Sequence, residues 1–434
     1  MEFSILFLIL SFFLSFPLLI LKKKHFGRVV ELNYFNVWFI VFILLAFIGA
    51  LITTLGGAKE SYFISGILYK ENVVQLGSLF VLWSGIGMFY SFIVFLLVID
   101  SEGKLKWENF VNKKIDDELC EYIVILFFSI FSFFSFLYYQ VQVYPSPTFL
   151  ALNGDALGAA IRRIEITKNL NLYANTYIIA FGTIISQIFS IQLVIRAKNN
   201  LKEKLLKYFM ILISISFLIT TSEKAPIVFY LFSIYMAYTL TQKKILKLNF
   251  RIILYFAILL FSIYYFFVSN DLVEIKKLIF ERIFFAQMAI VYYSVDYYNS
   301  SNFIGIGSLG GFFNKLFDIS KLPPSSETLM QVYFNEMIES GGWNMNGIYI
   351  SEAWSNFGWF GVILGPIYVG IVIGILYIIL ARTKTSFGKA LLVFATCSSF
   401  SFLTSFNIYL YNTIFVLLVV IIILRYFMLQ VLKK

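Results

Sequence analysis

Residues 347–370 read GIYISEAWSNFGWFGVILGPIYVG. An acid, Glu352, stands shortly before an apolar run that starts near Gly358 and continues to residue 380. At about 1.5 Å per helical residue such a run spans the ~30 Å hydrocarbon core of a bilayer. The same alternation of polar connection and long apolar run recurs along the chain. Of its 434 residues, 60% are hydrophobic and only 13% charged, and 51 are Phe. A soluble core of this length has no room for so much apolar surface, so the chain reads as an integral membrane protein.

Two readings of the opening stretch stand side by side. In one it is a plain helix start. The helix dipole favours an acid there by about 0.3–1 kcal/mol, Asn356 caps, and Gly358, Gly361 and Gly365 permit close helix packing. In the other it is a catalytic loop meeting the membrane, with Glu352 as a general base.

Apolar runs cover 3–21, 34–56, 73–99, 119–139, 173–195, 208–222, 225–241, 252–269, 358–380, 390–406 and 409–430. Backbone groups in lipid must pair within their own segment, so these runs predict eleven helices in one all-α transmembrane domain over 1–434. The first run lacks the basic start and cleavage site of a signal peptide and is kept as a helix. The sixth and seventh meet at TTSEKAP as a tight hairpin or a re-entrant pair. The segment ERIFFAQMAIVYYSVDYY, 281–298, reads as a helix lying in the interface or as a twelfth span. Most of the 34 lysines and arginines fall in 22–33, 100–118, 196–207, 242–251, 381–389 and the C-terminal tail. The positive-inside rule then puts the N-terminus outside and the C-terminus in the cytoplasm. Two outside loops result, 140–172 and a large, partly helical capping loop over 270–357, and loops of that length are usually functional.

Several function classes drop out. The net charge of +10 is spread between spans, with no basic-aromatic module left to hold nucleic acid. Cys120 and Cys397 give no disulfide framework, and the single histidine, His25, excludes a histidine-based metal centre. The glycine-rich NSSNFIGIGSLGGF, 299–312, lacks the lysine and spacing of a P-loop. No cofactor or metal is called for. PPSSETLMQVYFNEMIES, 323–340, predicts a helix capped by Ser325 or Ser326, with Leu329, Val332, Tyr333 and Met337 on one face, stopped by Gly341 and Gly342.

The charged candidates each carry two readings. Arg162 and Arg163, in LGAAIRRIEITKN on the outside, are either solvated or an anion site suited to a diphosphate. Lys224 is either half of a local pair with Glu223 or a cation aimed into a central cavity. Arg282 snorkels or binds an anion. Asp296, among tyrosines, belongs to an interface anchor or to a sugar site. Glu336 and Glu339 are polar helix positions, and Glu352 is the acid of the opening stretch.

Together, the outside arginines, the turn in TTSEKAPIVFYL, the FIGIGSLG stretch and the closing NGIYISEAWSNFGWFGVILGPIYVGI resemble the bacterial O-antigen and capsular oligosaccharide repeat-unit polymerases. The likeness is one of layout over most of the chain, and Lys224 stands where that family usually has an arginine. It implies a membrane-embedded glycosyltransferase of the GT-C-like superfamily at the outer face of the bacterial inner membrane. Its donor and acceptor would be undecaprenyl-diphosphate-linked glycans, with no nucleotide sugar, metal or cofactor. Its partners would be membrane lipid, a flippase and a chain-length regulator. The resemblance implies that Arg162, Arg163, Arg282 and Lys224 hold the leaving diphosphate, and that Glu352 takes the acceptor proton, with Asp296 or Glu339 behind it. A related O-antigen ligase would rely on an outside histidine, whereas His25 lies inside. A flippase or secondary transporter would carry charge along a path through mid-membrane, and the spans are nearly free of it.

Overall fold

The computed structural model describes residues 2–22, 25–28, 30–117, 120–169, 173–196, 200–220, 224–247, 250–267, 271–308, 317–320, 322–336, 345, 347–410 and 413–432. The fold is all-helical, with no strand among these residues. All eleven apolar runs carry helix. Among the described residues, five helices are long and apolar enough to cross a membrane: Tyr34–Thr54, Glu71–Ile99, Glu121–Val143, Tyr177–Arg196 and Tyr349–Arg382. A sixth counts if the pair Leu272–Phe284 and Ala286–Tyr298, bent by 51°, is one span. Two of the remaining runs fall short for local reasons. The run at 208–222 lies in a helix, Leu201–Thr220, whose first turns carry Lys202, Glu203, Lys204 and Lys207. The run at 390–406 is broken into Ser386–Cys397 and Ser399–Leu403.

The chain divides into two compact units. The first comprises Met1–Trp107, Ser269–Ile378 and Ser399–Tyr411. Its helices are α1 (Glu2–Lys22), α2 (Tyr34–Thr54), α3 (Glu71–Ile99), α4 (Leu272–Phe284), α5 (Ala286–Tyr298), α6 (Ser325–Tyr333), α7 (Tyr349–Arg382, which runs on past the unit), α8 (Ser399–Leu403) and α9 (Asn407–Leu410). Helix α3 packs against α1, α2 and α5. Tyr34, Phe35, Phe92, Phe26 and Tyr377 interlock with ring centroids 5.0–6.3 Å apart. Such ring pairs add roughly 0.5–1.5 kcal/mol each beyond area burial. The sole histidine belongs to this unit's frame: His25 Nε2 lies 3.0 Å from Asp100 Oδ2, and Asp100 also accepts the amides of Lys104 and Leu105.

The second unit comprises Glu108–Val268, Ile379–Ser398 and Asn412–Lys434. The helix Tyr173–Arg196 is its hub and packs against Glu121–Val143, Leu201–Thr220, Lys224–Thr241 and Ser386–Cys397. Hydroxyls in these apolar helices are satisfied locally. Ser129, Ser214 and Thr396 donate to carbonyls one turn back, while Ser132 and Ser135 cross to the carbonyls of Gly182 and Ile178. One end of the unit is tied by buried ions. Glu121 accepts from Arg425 at 2.6 and 3.0 Å and from Gln192 at 2.7 Å, and Arg196 pairs with Asp117 and Glu203.

Two local expectations change. Of the two readings of 281–298, the interfacial one does not hold for α5, which is buried on nearly every side from Ala286 to Val295 because α2, α3, α4 and α6 pack around it; the spanning one stands in the bent pair. Helix α6 runs only over Ser325–Tyr333. Its N-cap is Pro324 with no side-chain hydrogen bond, Ser325 Oγ is buried without a partner, and Val332 is exposed. Met337, Gly341 and Gly342 lie outside the described residues.

Candidate functional site

Helix α7 starts at Tyr349, nine residues before the apolar run, so the SEAWSN segment is helical and not a link. The helix is interrupted at Gly358 (φ 57°, ψ −139°), a left-handed conformation that favours glycine. A Cβ there would sit 2.7 Å from the Phe303 ring. This break separates a short first segment bearing Glu352 and Asn356 from the long apolar one. The first segment is pinned on three sides. Tyr349 donates to Ser84 O at 2.7 Å, Trp354 Nε1 donates to Ser294 O at 3.1 Å, and Ile304 N donates to Ser355 O at 2.9 Å.

The two sequence stretches singled out above therefore meet. The FIGIGS segment lies on SEAWSN, and a third segment, 405–407, joins them. Asn356 Nδ2 donates to Asn407 Oδ1 at 2.8 Å, Asn407 Nδ2 to Ser308 Oγ at 3.1 Å, and Ser308 Oγ to Asn356 Oδ1 at 3.3 Å. Asn356 thus closes a polar ring and does not cap α7. Glu352 Oε2 accepts from Ser405 Oγ (2.8 Å), Phe406 N (2.7 Å) and Asn407 N (3.1 Å). That oxygen holds the 405–407 turn, so any proton transfer at Glu352 would fall to Oε1.

Asp296, on α5, forms a second cluster in the same unit. Lys70 Nζ bridges both its oxygens at 2.7 and 2.6 Å, and Tyr333 OH donates to Oδ2 at 2.6 Å. The hydrogen bond from Asp296 raises the Lys70 pKa, and burial followed by the Asp296 bond pushes the Tyr333 phenol well up. Tyr293 packs on Tyr333 with centroids 4.6 Å apart. Asp296 is mostly covered, while Lys70 reaches solvent. Since Ser294 holds Trp354, α5 carries Asp296 on one side and supports the Glu352 segment on the other.

Arg282 ends α4. It is exposed, with its guanidinium 5.4 Å over the Phe63 ring, while its neighbour Glu281 is buried and accepts from Ser61 Oγ at 2.6 Å. The connection before α3 therefore follows the bent helix pair, with Ser61 and Phe63 at its start and Lys70 at Asp296.

The other basic candidates belong to the second unit. Arg162 is half-buried and spent locally, on Glu165 (3.1 Å) and the carbonyls of Tyr144 (3.3 Å) and Pro145 (3.4 Å). Arg163 beside it is half-buried. Lys224 opens the helix Lys224–Thr241, and its side chain is not among those described. Thr148 Oγ1 donates to Ile219 O and Gln140 Nε2 to Thr220 Oγ1, so the arginine-bearing 140–172 segment is fastened to the residues leading into TTSEK. Glu339 lies outside the described residues, and Glu336 is exposed.

The sequence reading did not single out Lys70, Ser308, Ser405 or Asn407. Lys70 had one signal, a cation just before the start of an apolar run. The 405–407 turn had only a weak one, the short polar break between the runs 390–406 and 409–430. No family model, no curated protein and no solved structure matches this chain.

Proposed function

We propose that the protein is a membrane-embedded glycosyltransferase that joins lipid-diphosphate-linked oligosaccharide repeat units at the outer face of the bacterial inner membrane. The supporting observation is the meeting of the FIGIGS and SEAWSN segments around Glu352, Asn356 and Ser308, close to the helix that carries Asp296. In this proposal eleven helices span the membrane, the N-terminus lies outside, and the fold is of the GT-C-like kind. An acceptor hydroxyl attacks the anomeric carbon of the donor. The bond from that carbon to the diphosphate oxygen breaks, and undecaprenyl diphosphate leaves. Arg282 is exposed and free to contact the diphosphate, where negative charge grows in the transition state. Arg163 and Lys224 are candidate anion-binding cations of the second unit, while Arg162 supports its own loop. Glu352 through Oε1, or Asp296, takes the acceptor proton. Tyr333, partly open and backed by the buried Tyr293 ring, offers a face to sugar.

The test is polymerisation in a defined vesicle system with purified lipid-diphosphate repeat units, without nucleotide sugar or added metal. A product ladder from the wild type that is lost in Arg282→Ala, Glu352→Gln or Asp296→Asn, all still folded, supports the reading. No ladder from a verified native repeat unit refutes polymerisation. Transfer of a finished chain to a lipid A core would favour a ligase, and movement of unreacted lipid between leaflets would favour a flippase.

A further inference from the structure

Helix α4 carries a surface that neither the buried core nor the proposed chemistry uses. At about 100° per residue, Leu272, Val273, Lys276, Lys277 and Phe280 fall within an arc of roughly 140°. Three of them are large apolar side chains left open: Leu272 is 57% exposed, Val273 77% and Phe280 44%. The only charges on this arc are the exposed Lys276 and Lys277. The opposite side holds the buried Ile275, and Glu281 turns inward to Ser61. Arg282, over Phe63, also lies off the open arc.

Two further observations say what covers this face. Asp271 caps α4 by accepting from Val273 N at 2.9 Å, so the helix begins as a new element and does not continue the preceding one. At Phe285 the axis bends by 51° into α5, which is buried almost completely. An open apolar arc with cations alone among its charges, on a helix bent away from a core helix, fits a surface that is apolar below and anionic above.

We propose that α4 is an interfacial helix docked in the headgroup layer of the bilayer. Leu272, Val273 and Phe280 enter the acyl boundary, and Lys276 and Lys277 extend to lipid phosphates. This assignment places the interfacial role at 272–284, next to the segment 281–298 that the sequence reads as an interfacial helix or a twelfth span. It does not depend on the transferase reading.

The test uses the full chain in vesicles of phosphatidylcholine with or without phosphatidylglycerol. Nitroxides are placed by Val273→Cys and Phe280→Cys, with Glu102→Cys as an exposed reference and the unsubstituted protein as background. Collision with oxygen and with a water-soluble nickel chelate is then measured. The oxygen-to-nickel ratio at 273 and 280 should exceed that at 102 several-fold. Phosphatidylglycerol should raise it further, and Lys276→Gln/Lys277→Gln should abolish that further rise. A ratio at 273 and 280 equal to that at 102 overturns the proposal. Protection from both reagents, with spin–spin broadening from a second copy or without it from another protein, overturns it as well.

Discussion

Replacing Gly358 with alanine tests the break in α7 on which the site depends. The residue sits at φ 57° and ψ −139°, near a region open essentially to glycine, and forcing a side chain there costs about 1–3 kcal/mol. The added methyl would also meet the Phe303 ring at 2.7 Å. Phe303 packs against Trp354, 5.4 Å between centroids, but is 45% exposed, so it can give way in part, and overpacking adds at most about 3 kcal/mol. Gly358→Ala should therefore destabilise the first unit by roughly 1–6 kcal/mol. Thermal unfolding of the detergent-solubilised protein, followed through its six tryptophans, would register this. Adding Phe303→Ala separates the two terms: it should recover the packing part and leave the backbone part. A loss below about 0.5 kcal/mol in the single variant, well under the least that strain alone should cost, would refute the reasoning. The break would then be an ordinary helical residue, and the geometry around Glu352 would need another cause.

Glu352→Ala removes the acceptor of two backbone amides and one hydroxyl. It should cost about 2–4 kcal/mol and raise amide hydrogen exchange at 406 and 407, and Glu352→Gln should cost less. Asp296→Asn should lower stability by no more than about 1 kcal/mol, because its partner Lys70 is partly exposed; a larger loss in the same melt would mean that the cluster is a structural keystone. Glu121→Gln breaks a buried pair with Arg425 and should cost about 3–5 kcal/mol, whereas Glu121→Leu/Arg425→Leu should come near neutral in a double-mutant cycle. Lys389 is buried against the carbonyls of Val111 and Lys113, and burial pushes its pKa down to about 8 from 10.5. The folded chain then holds fewer protons than the unfolded one between those values, so stability should rise as pH climbs from about 8 towards 10. Lys389→Met should remove that slope from the melting temperature, and an unchanged slope would assign it to other groups.

The sequence alone determined the all-helical class and the apolar helices able to cross a membrane. A single run of about 20 apolar residues can pair its own backbone groups in lipid only as a helix, and such runs announce themselves at any position. It also picked out Glu352, Asp296 and Arg282, since charged residues beside spans are few. Helix ends and partners were a different matter. SEAWSN carries polar residues and reads as a link, yet it is helical because Tyr349, Trp354 and Ser355 each find a hydrogen bond in another segment. The apolar 286–298 segment reads in isolation as an interfacial helix or a span, and the packing of α2, α3, α4 and α6 around it makes it core. Lys70 lies 226 residues from Asp296, and Ser405 lies 53 from Glu352. Local periodicity carries no information across such distances. Whether an acid is a cap, an ion-pair partner or a free base depends on which donors the folded chain brings to its two oxygens, and that is decided by tertiary packing.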